Sequence, residues 1–493
     1  MIRILSILLL SIFFLDVKGQ STDTAYLHLF GGQNMDMFRD GIATPDTGII
    51  AVGTTSSYGA GNTDIYVVKT DSLCNKIWSK TYGRNNVEQG YCIKNTMDGG
   101  YIIAGFTNSI GSGGYDAYLI KIDANSQQLW ERTYGGNDWD FAYSIVELPD
   151  SGFAVCGETY TNSFGNSDVY LFRTDKNGNI IWQKNIGGTQ QDVANDLILD
   201  TDTNLVLVGK TKSFGNGQED MYLIKTNLLG DTIWTKTFGD TLNECGYRLI
   251  QTQDLGYVIV GYAESYSPEG DKDIYLLKTD SGSNYLWQHT IGNSIGFDEA
   301  TSISELNNGE LFISGNTING AGLIDIFSYI ATNGGWWTPR SSSYGSIKLD
   351  NGFKNLIANN KYYVIGKTES YGQGNIDALI IRLDTIQENQ NQQIDSNNDS
   401  LLNIEKLITQ TKIAIYPNPF TNDIYIEIPT YQTGFYNYLE IYNLFGEIIL
   451  SQNIVSNKLY LKDEISHLSK GMYFLQISSY QNNQSVTLKL LKQ

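Results

Sequence analysis

From residue 26 to 384 the chain alternates short apolar runs with clusters of Gly, Asn, Asp and Ser. One stretch shows the grammar. Ala142–Leu148 ends at Pro149-Asp150-Ser151-Gly152, and Phe153–Cys156 is followed by the polar segment Glu158–Ser167. Val169–Thr174 is turned by Asp175-Lys176-Asn177-Gly178, and Ile180–Ile186 carries Trp182. Runs this short, rich in Val, Ile and Tyr and bounded by turn residues, predict β-strands. No stretch sustains the 3.6-residue period of an amphipathic helix. The pattern therefore predicts four strands in each such unit.

The unit recurs seven times. An Asp opens a strand at Asp64, Asp116, Asp168, Asp220, Asp273, Asp325 and Asp377, in steps of 52, 52, 52, 53, 52 and 52 residues. A Gly closes an apolar run at Gly53, Gly105, Gly157, Gly209, Gly261, Gly315 and Gly366. An aromatic or Ile before Gly, from Phe30-Gly31 to Tyr344-Gly345, keeps the same period. Four-stranded units of about 40–50 residues are propeller blades, each too small to bury its own apolar face. The seventh copy stops at Asp384 after three strands, whereas Tyr26–Phe30 copies the fourth-strand pattern with no strands before it. The expected fold is all-β: a seven-bladed β-propeller over 20–384, closed by its N-terminal strand. A basic residue two places after the fourth-strand Trp position (His28, Lys80, Arg132, Lys184, Lys236, His289) protects the exposed edges from pairing with other sheets.

In such a meander the loops entering strands one and three share a face. The first set carries Asp36, Glu88, Asp140, Asp192, Glu244 and Asp298, each 17 residues before its marker Gly. Asp350 stands sixteen before Gly366. The second set is the strand-opening Asp series. Two readings stay open: these acids accept hydrogen bonds from loop N–H groups, or they form a ligand- or cation-binding surface. Two tryptophans break the repeat. Trp139 sits in a strand-entering loop on the acidic face, and Trp336 precedes Trp337 in blade six. Exposed Trp beside carboxylates suits sugar stacking. The expected ligand-binding residues are Asp36, Glu88, Trp139, Asp140, Asp192, Glu244, Asp298 and Trp336, with a glycan or surface protein as ligand.

The ends change the picture. Residues 1–19 read as a signal peptide, with Arg3 and the apolar run Ile4–Leu15, too short to span a bilayer. Residues 385–412 are a polar linker. Within it Asp395, Asn397 and Asp399 sketch a calcium loop, but Ser400 stands where Gly is needed and Lys406 where a carboxylate is. A second β domain, 413–493, has the strand count of an Ig-like sandwich. It contains Tyr416-Pro417-Asn418-Pro419-Phe420, Ile441-Tyr442-Asn443-Leu444-Phe445-Gly446, Leu468-Ser469-Lys470-Gly471 and Leu488-Lys489-Leu490-Leu491-Lys492. These landmarks resemble the C-terminal sorting domain of the bacterial type IX secretion system. The resemblance implies that Pro417, Asn418, Pro419, Gly446, Gly471, Lys489 and Lys492 belong to a sorting signal. It further implies secretion machinery and a sortase-like protease as partners, and delivery through the periplasm to the surface of a Gram-negative cell or into the medium. The repeats, as in Gly113-Gly114-Tyr115-Asp116-Ala117-Tyr118-Leu119-Ile120-Lys121, are similar to secreted bacterial β-propeller repeats, which share a fold and no common chemistry.

Charge and chemistry narrow the function. Net charge is 33 − 53 = −20, which opposes binding to nucleic acid or an anionic membrane. The histidines are His28, His289 and His467, and no Gly-x-Ser-x-Gly elbow, phosphate loop or Cys/His metal spacing occurs. Cys74, Cys92, Cys156 and Cys245 hold non-equivalent repeat positions and are expected as free, buried thiols. The expectation is a monomeric, non-catalytic binding or adhesion module without a mature transmembrane segment, needing no cofactor unless calcium. The alternatives are a carbohydrate-active enzyme using propeller carboxylates and a structural surface protein without a specific ligand.

Overall fold

A computed structural model describes residues 25–384 apart from 268–269, 293–295, 319–322 and 346–347. Towards the C-terminus it describes 414–416, 424–427, 438–443, 448–454, 458–462, 465–478 and 485–492. The chain divides into two compact units, 1–386 and 387–493.

The first unit is all-β among the described residues, built of seven four-stranded antiparallel sheets. Six are uninterrupted meanders. The last is composite: Ala25–Phe30 pairs with Asp377–Asp384, which continues to Lys361–Thr368 and Asp350–Ala358. The register sets Tyr26 opposite Arg382 and Phe30 opposite Ala378. The N-terminal strand thus supplies the missing fourth strand of blade seven. Its ends reach two cores. Ala25 packs with blades six and seven, and Phe30 packs with blades seven and one.

Burial explains why the units stack. Second strands such as Tyr101–Thr107 and third strands such as Asp116–Ile122 are buried on both faces, while fourth strands such as Thr232–Phe238 face solvent. Each neighbouring pair of blades shares one apolar core, and blade seven shares one with blade one. The first strands touch one another in turn, and Asp350–Ala358 returns to Asp36–Ala43. This is a closed ring of blades with first strands innermost.

The marker glycines have a steric cause. In every blade the first strand is bulged where it faces the second, as between Phe38 and Asp40 or Ala142 and Ser144. The bulge drives a first-strand carbonyl against the marker Gly. A Cβ on Gly157 would stand 2.0 Å from the Phe141 carbonyl oxygen, and on Gly105 it would stand 1.8 Å from that of Gln89. No side chain fits there. The basic residue ending the third strand also has a partner, the Asp of the turn between strands one and two. The Lys69–Asp46, Lys121–Asp98, Arg173–Asp150, Lys225–Asp200 and Lys278–Asp254 pairs lie at 2.6–3.0 Å. Edge-strand bases link blades as well: Lys80 donates to the Ser126 carbonyl and Lys184 pairs with Asp231.

In the second unit, Ala414–Tyr416, Ile424–Glu427 and Lys458–Leu461 form one sheet. Ile448–Asn453, Tyr438–Tyr442, Gly471–Ser478 and Ser485–Lys492 form another. Ile424, Ile426 and Leu459 of the first share a core with Leu439, Ile441 and Leu475 of the second. This makes the unit a two-layer sandwich. The signal peptide and linker expectations fall outside the described residues.

Candidate functional site: the mouth of the axial bore

Each first-strand bulge frees one residue from the ladder, and successive bulged residues meet around the axis. Arg39 of blade one lies over the Tyr91 ring of blade two at 4.4 Å and over the Phe353 ring of blade seven at 5.4 Å. Tyr91 packs on Tyr143 of blade three, with ring centroids 5.1 Å apart. Opposite the residue two places before each bulged residue stands the residue after the marker Gly: Phe106 faces Gln89, Glu158 faces Phe141, Lys210 faces Val193 and Tyr262 faces Cys245.

One wall of this mouth is aromatic. From the rim inwards, Trp139 meets Tyr115 at 5.7 Å, Tyr115 meets Phe106 at 5.2 Å, Phe106 meets Phe141 at 5.1 Å, and Phe106 meets Tyr91 at 5.7 Å. Trp139 also meets Tyr160 at 6.0 Å. Trp139 is 51% exposed, whereas Tyr115, Phe141 and Tyr91 are half-buried and Phe106 is buried. Glu158 closes the track. It accepts from Ser167 Oγ at 2.6 Å, Gln191 Nε2 at 2.9 Å and Tyr143 Oη at 3.3 Å. Burial and this carboxylate hold the Tyr143 hydroxyl well above its ordinary pKa, so it remains a donor.

The wall from blades four to six is charged. Lys210 and Lys212 both pair with Glu219, at 2.9 and 3.1 Å, and Lys272 lies 3.8 Å from the Tyr262 ring centroid. Glu299 accepts from Tyr247 Oη at 3.0 Å and Asn316 Nδ2 at 2.9 Å. Burial pushes its carboxyl pKa up. The mouth thus sets stacking surfaces opposite cations and hydrogen-bonding carboxylates.

The acids expected at the site are placed differently. Asp36, Glu88, Asp140, Asp192, Glu244 and Asp298 are all buried, at most 2% exposed. Asp140 accepts from the Gly136 amide at 2.8 Å, from Thr161 Oγ1 at 2.9 Å and from Thr159. Asp36, Asp192 and Glu88 bond the Gly32, Gly188 and Arg84 amides in the same way, and Glu244 takes Asp240 and Ser265. Asp350 keeps the pattern despite its irregular spacing, bonding Thr368 and Ser370. The strand-three series does likewise, with Asp64 capping the Ala60 and Gly61 amides. The two series meet across the aromatic-Gly marker: a Cβ on Gly187 would lie 2.2 Å from an Asp168 oxygen and 2.6 Å from an Asp192 oxygen. Burial first, and Asp192 second, raise the Asp168 pKa. Five of these six acids therefore fasten loops, and all six, Asp298 included, are too buried to offer a ligand surface, which corrects that part of the expected site.

The two tryptophans are not neighbours. Trp336, 68% exposed, lies in the turn between strands three and four of blade six, on the face opposite Trp139. Its ring rests on His289 of blade five, 4.2 Å between centroids, and His289 Nε2 contacts the Gly334 carbonyl at 2.9 Å. Trp336 forms no part of the mouth. What sequence reasoning missed is the inner track. The bulged position is aromatic at Tyr91, Tyr143, Tyr247 and Phe353 but carries Arg39, Asn195 and Thr301 elsewhere, so the period is visible only in part.

Of the sorting residues, Gly471 opens the strand Gly471–Ser478, and Lys489 lies in Ser485–Lys492 opposite Phe474. Lys492 is buried, its ammonium donating to the Ile465 and Ser466 carbonyls at 2.9 and 2.8 Å. Pro417, Asn418, Pro419 and Gly446 lie outside the described residues, as do Asp395, Asn397 and Asp399 of the calcium candidate. Among the described residues no group of three or more His, Cys, Asp or Glu could hold a metal ion. No described helix is long and apolar enough to cross a membrane. The four cysteines are free and buried.

Residues 414–493 match the family described as the Secretion system C-terminal sorting domain. The chain carries a type IX secretion sorting tail. That sorting domain indicates interaction with the type IX machinery and export to the cell surface or beyond it. A curated relative, the Regulatory protein FlaEY of Caulobacter vibrioides, is 22% identical over 270 residues, 49% of this chain and 27% of that protein. The chain thus spans about a quarter of that relative's length. PorZ, an essential surface component of the type IX secretion system of Porphyromonas gingivalis, is 12% identical with a TM-score of 0.37. The match covers 90% of this chain and 68% of that one. The WD40 propeller domain of Doa1 is 11% identical with a TM-score of 0.43, covering 72% of this chain and 95% of its own. The propeller assignment rests on the sheet order and ring of cores described above.

Proposed function

We propose that this is an exported, non-catalytic binding or adhesion module, delivered by its sorting domain and engaging a glycan or surface protein at the mouth of the axial bore. The tail is read as an Ig-like sandwich removed by a sortase-like protease. The single observation carrying the binding reading is the continuous track of rings from exposed Trp139 to Tyr91. The exposed Trp139 ring, braced edge-on by the rings behind it, suits the apolar face of a sugar or an aromatic-bearing peptide, with the part-exposed lysines opposite available for hydroxyls. The non-catalytic reading draws support from the regular acids, whose oxygens are occupied by amides and hydroxyls of their own loops. A glycan array and a peptide library, each probed with the purified protein and with Trp139→Ala, test the proposal. Binding that Trp139→Ala weakens supports it. Capture unaffected by that substitution, or none on either array, opposes it.

A further inference from the structure

One residue beyond the bulge, the bore carries its own charges. Asp40, Asp196, Arg248 and Lys354 hold this position in blades one, four, five and seven, and Lys94 lies two places further along blade two. Their sum is 3 − 2 = +1, inside a chain whose net charge is −20. Such local excess of one sign, in a confined low-dielectric space, is costly unless something offsets it.

The carboxylates are already ion-paired, although Asp40 Oδ1 makes no hydrogen bond among the described residues. Arg248 reaches both, Asp40 at 3.6 Å and Asp196 at 3.2 Å. The Ile93 amide donates to Asp40 at 3.0 Å, and Ser144 Oγ and the Leu249 amide donate to Asp196 at 2.9 and 3.2 Å. The two lysines are not served. Neither Lys94 nor Lys354 makes a hydrogen bond or ion pair with a described residue, although both feel Asp40, Asp196 and Arg248; Cys92 and then the two acids raise the Lys94 pKa, whereas burial lowers that of Lys354. Both are half-buried: closely surrounded by protein, yet still touched by solvent, as befits side chains lining a narrow bore. Each ammonium brings three donors.

We propose that the axial bore binds a small oxyanion, a phosphate, sulfate or carboxylate group, between Lys94, Lys354 and Arg248. The anion would offset the excess charge and accept the unspent donors in charge-assisted hydrogen bonds. Burial, and then Arg248, lower the Lys354 pKa to about 8, with Lys94 adding to the same push. An arriving anion reverses that push, so binding near pH 8 takes up a proton. The anion has two sources, a free inorganic ion or the acidic group of a saccharide entering through the mouth. The site itself does not depend on the mouth being a glycan site.

Titration calorimetry in low-chloride buffer at pH 8, with inorganic phosphate, sulfate, glucuronate and uncharged glucose, tests this. Saturable binding of phosphate and sulfate but not glucose is expected, about tenfold or more weaker in Lys94→Met/Lys354→Met. Sulfate does not titrate at this pH, so repeating its titration in buffers of different ionisation heat should reveal proton uptake. This uses the unaltered protein and stands even if the double variant fails to fold. Single Lys354→Gln should lower both affinity and uptake. Glucuronate tighter than sulfate, and weakened by Trp139→Ala, identifies a saccharide source. Glucuronate no tighter than sulfate identifies the free ion, and both results uphold the site. Absence of saturable anion binding, binding indifferent to the lysine substitutions, or sulfate binding without proton uptake overturns it.

Discussion

Closure of the ring should be weakened by acid, through one histidine. His28 lies in Ala25–Phe30, opposite Ile380 of Asp377–Asp384, with a buried Nε2 that has no hydrogen-bond partner among the described residues. Burial and the nearby Arg382 lower its pKa from 6.5 to about 4, with Asp71 opposing weakly. Between those two values the unfolded chain binds the proton and the folded ring refuses it. Stability is therefore full above about pH 6.5 and falls as pH drops towards 4. At about 1.36 kcal/mol per unit, the shift sets an upper limit of about 3.4 kcal/mol. Partial contact with solvent reduces that to roughly 1–3 kcal/mol. Urea unfolding at pH 7, 6 and 5, on the wild type and on His28→Gln, isolates the effect, because other titrating groups are common to both. The variant should lose less stability on acidification, by roughly 1 kcal/mol or more by pH 5. Parallel slopes for the two proteins would refute the reasoning.

Other outcomes follow from the same packing. Lys225 and Asp200 are 7% and 0% exposed and share Tyr257 Oη, so Asp200→Ala, which strands the lysine, should cost about 3–5 kcal/mol in denaturant titration. Asp46→Ala, at the half-exposed Lys69 pair, should cost no more than about 1 kcal/mol, and equal losses would contradict the burial argument. Gly157→Ala should destabilise by about 1–3 kcal/mol or more, since its Cβ would overlap the Phe141 carbonyl and backbone cannot move aside cheaply. An unchanged melting temperature would mean the bulge is not needed. Lys492→Ala removes two bonds to the Ile465–Ser466 turn, so the tail should become more protease-sensitive and export less efficient. Normal export together with normal protease resistance would argue against that.

The fold was largely legible because blade stacking imposes one period on every structural need. Asp64 and its repeats recur because a loop must be capped, as in five of the blades, and Gly53 and its repeats because a bulge must be cleared seven times. The closing strand was legible for the same reason, Tyr26–Phe30 being an outer strand without a blade. The site was harder. The acids drew attention by recurring, but recurrence marked them as loop fasteners. Trp139 was visible because it broke the repeat; Trp336 broke it too, yet sits on the other face. Arg39, Tyr91 and Phe353 come together because a bulge turns them towards the axis; the marker Gly records each bulge, but not that the residue freed there faces the axis. The lysines of the bore were hidden for the same reason.

The most direct test of the mouth as the working surface compares the two exposed tryptophans in one equilibrium assay. With whichever glycan or peptide the arrays return, Trp139→Ala should weaken affinity by about tenfold or more, and Trp336→Ala should leave it unchanged. Loss with Trp336→Ala alone, or equal loss with both, would place recognition elsewhere on the ring.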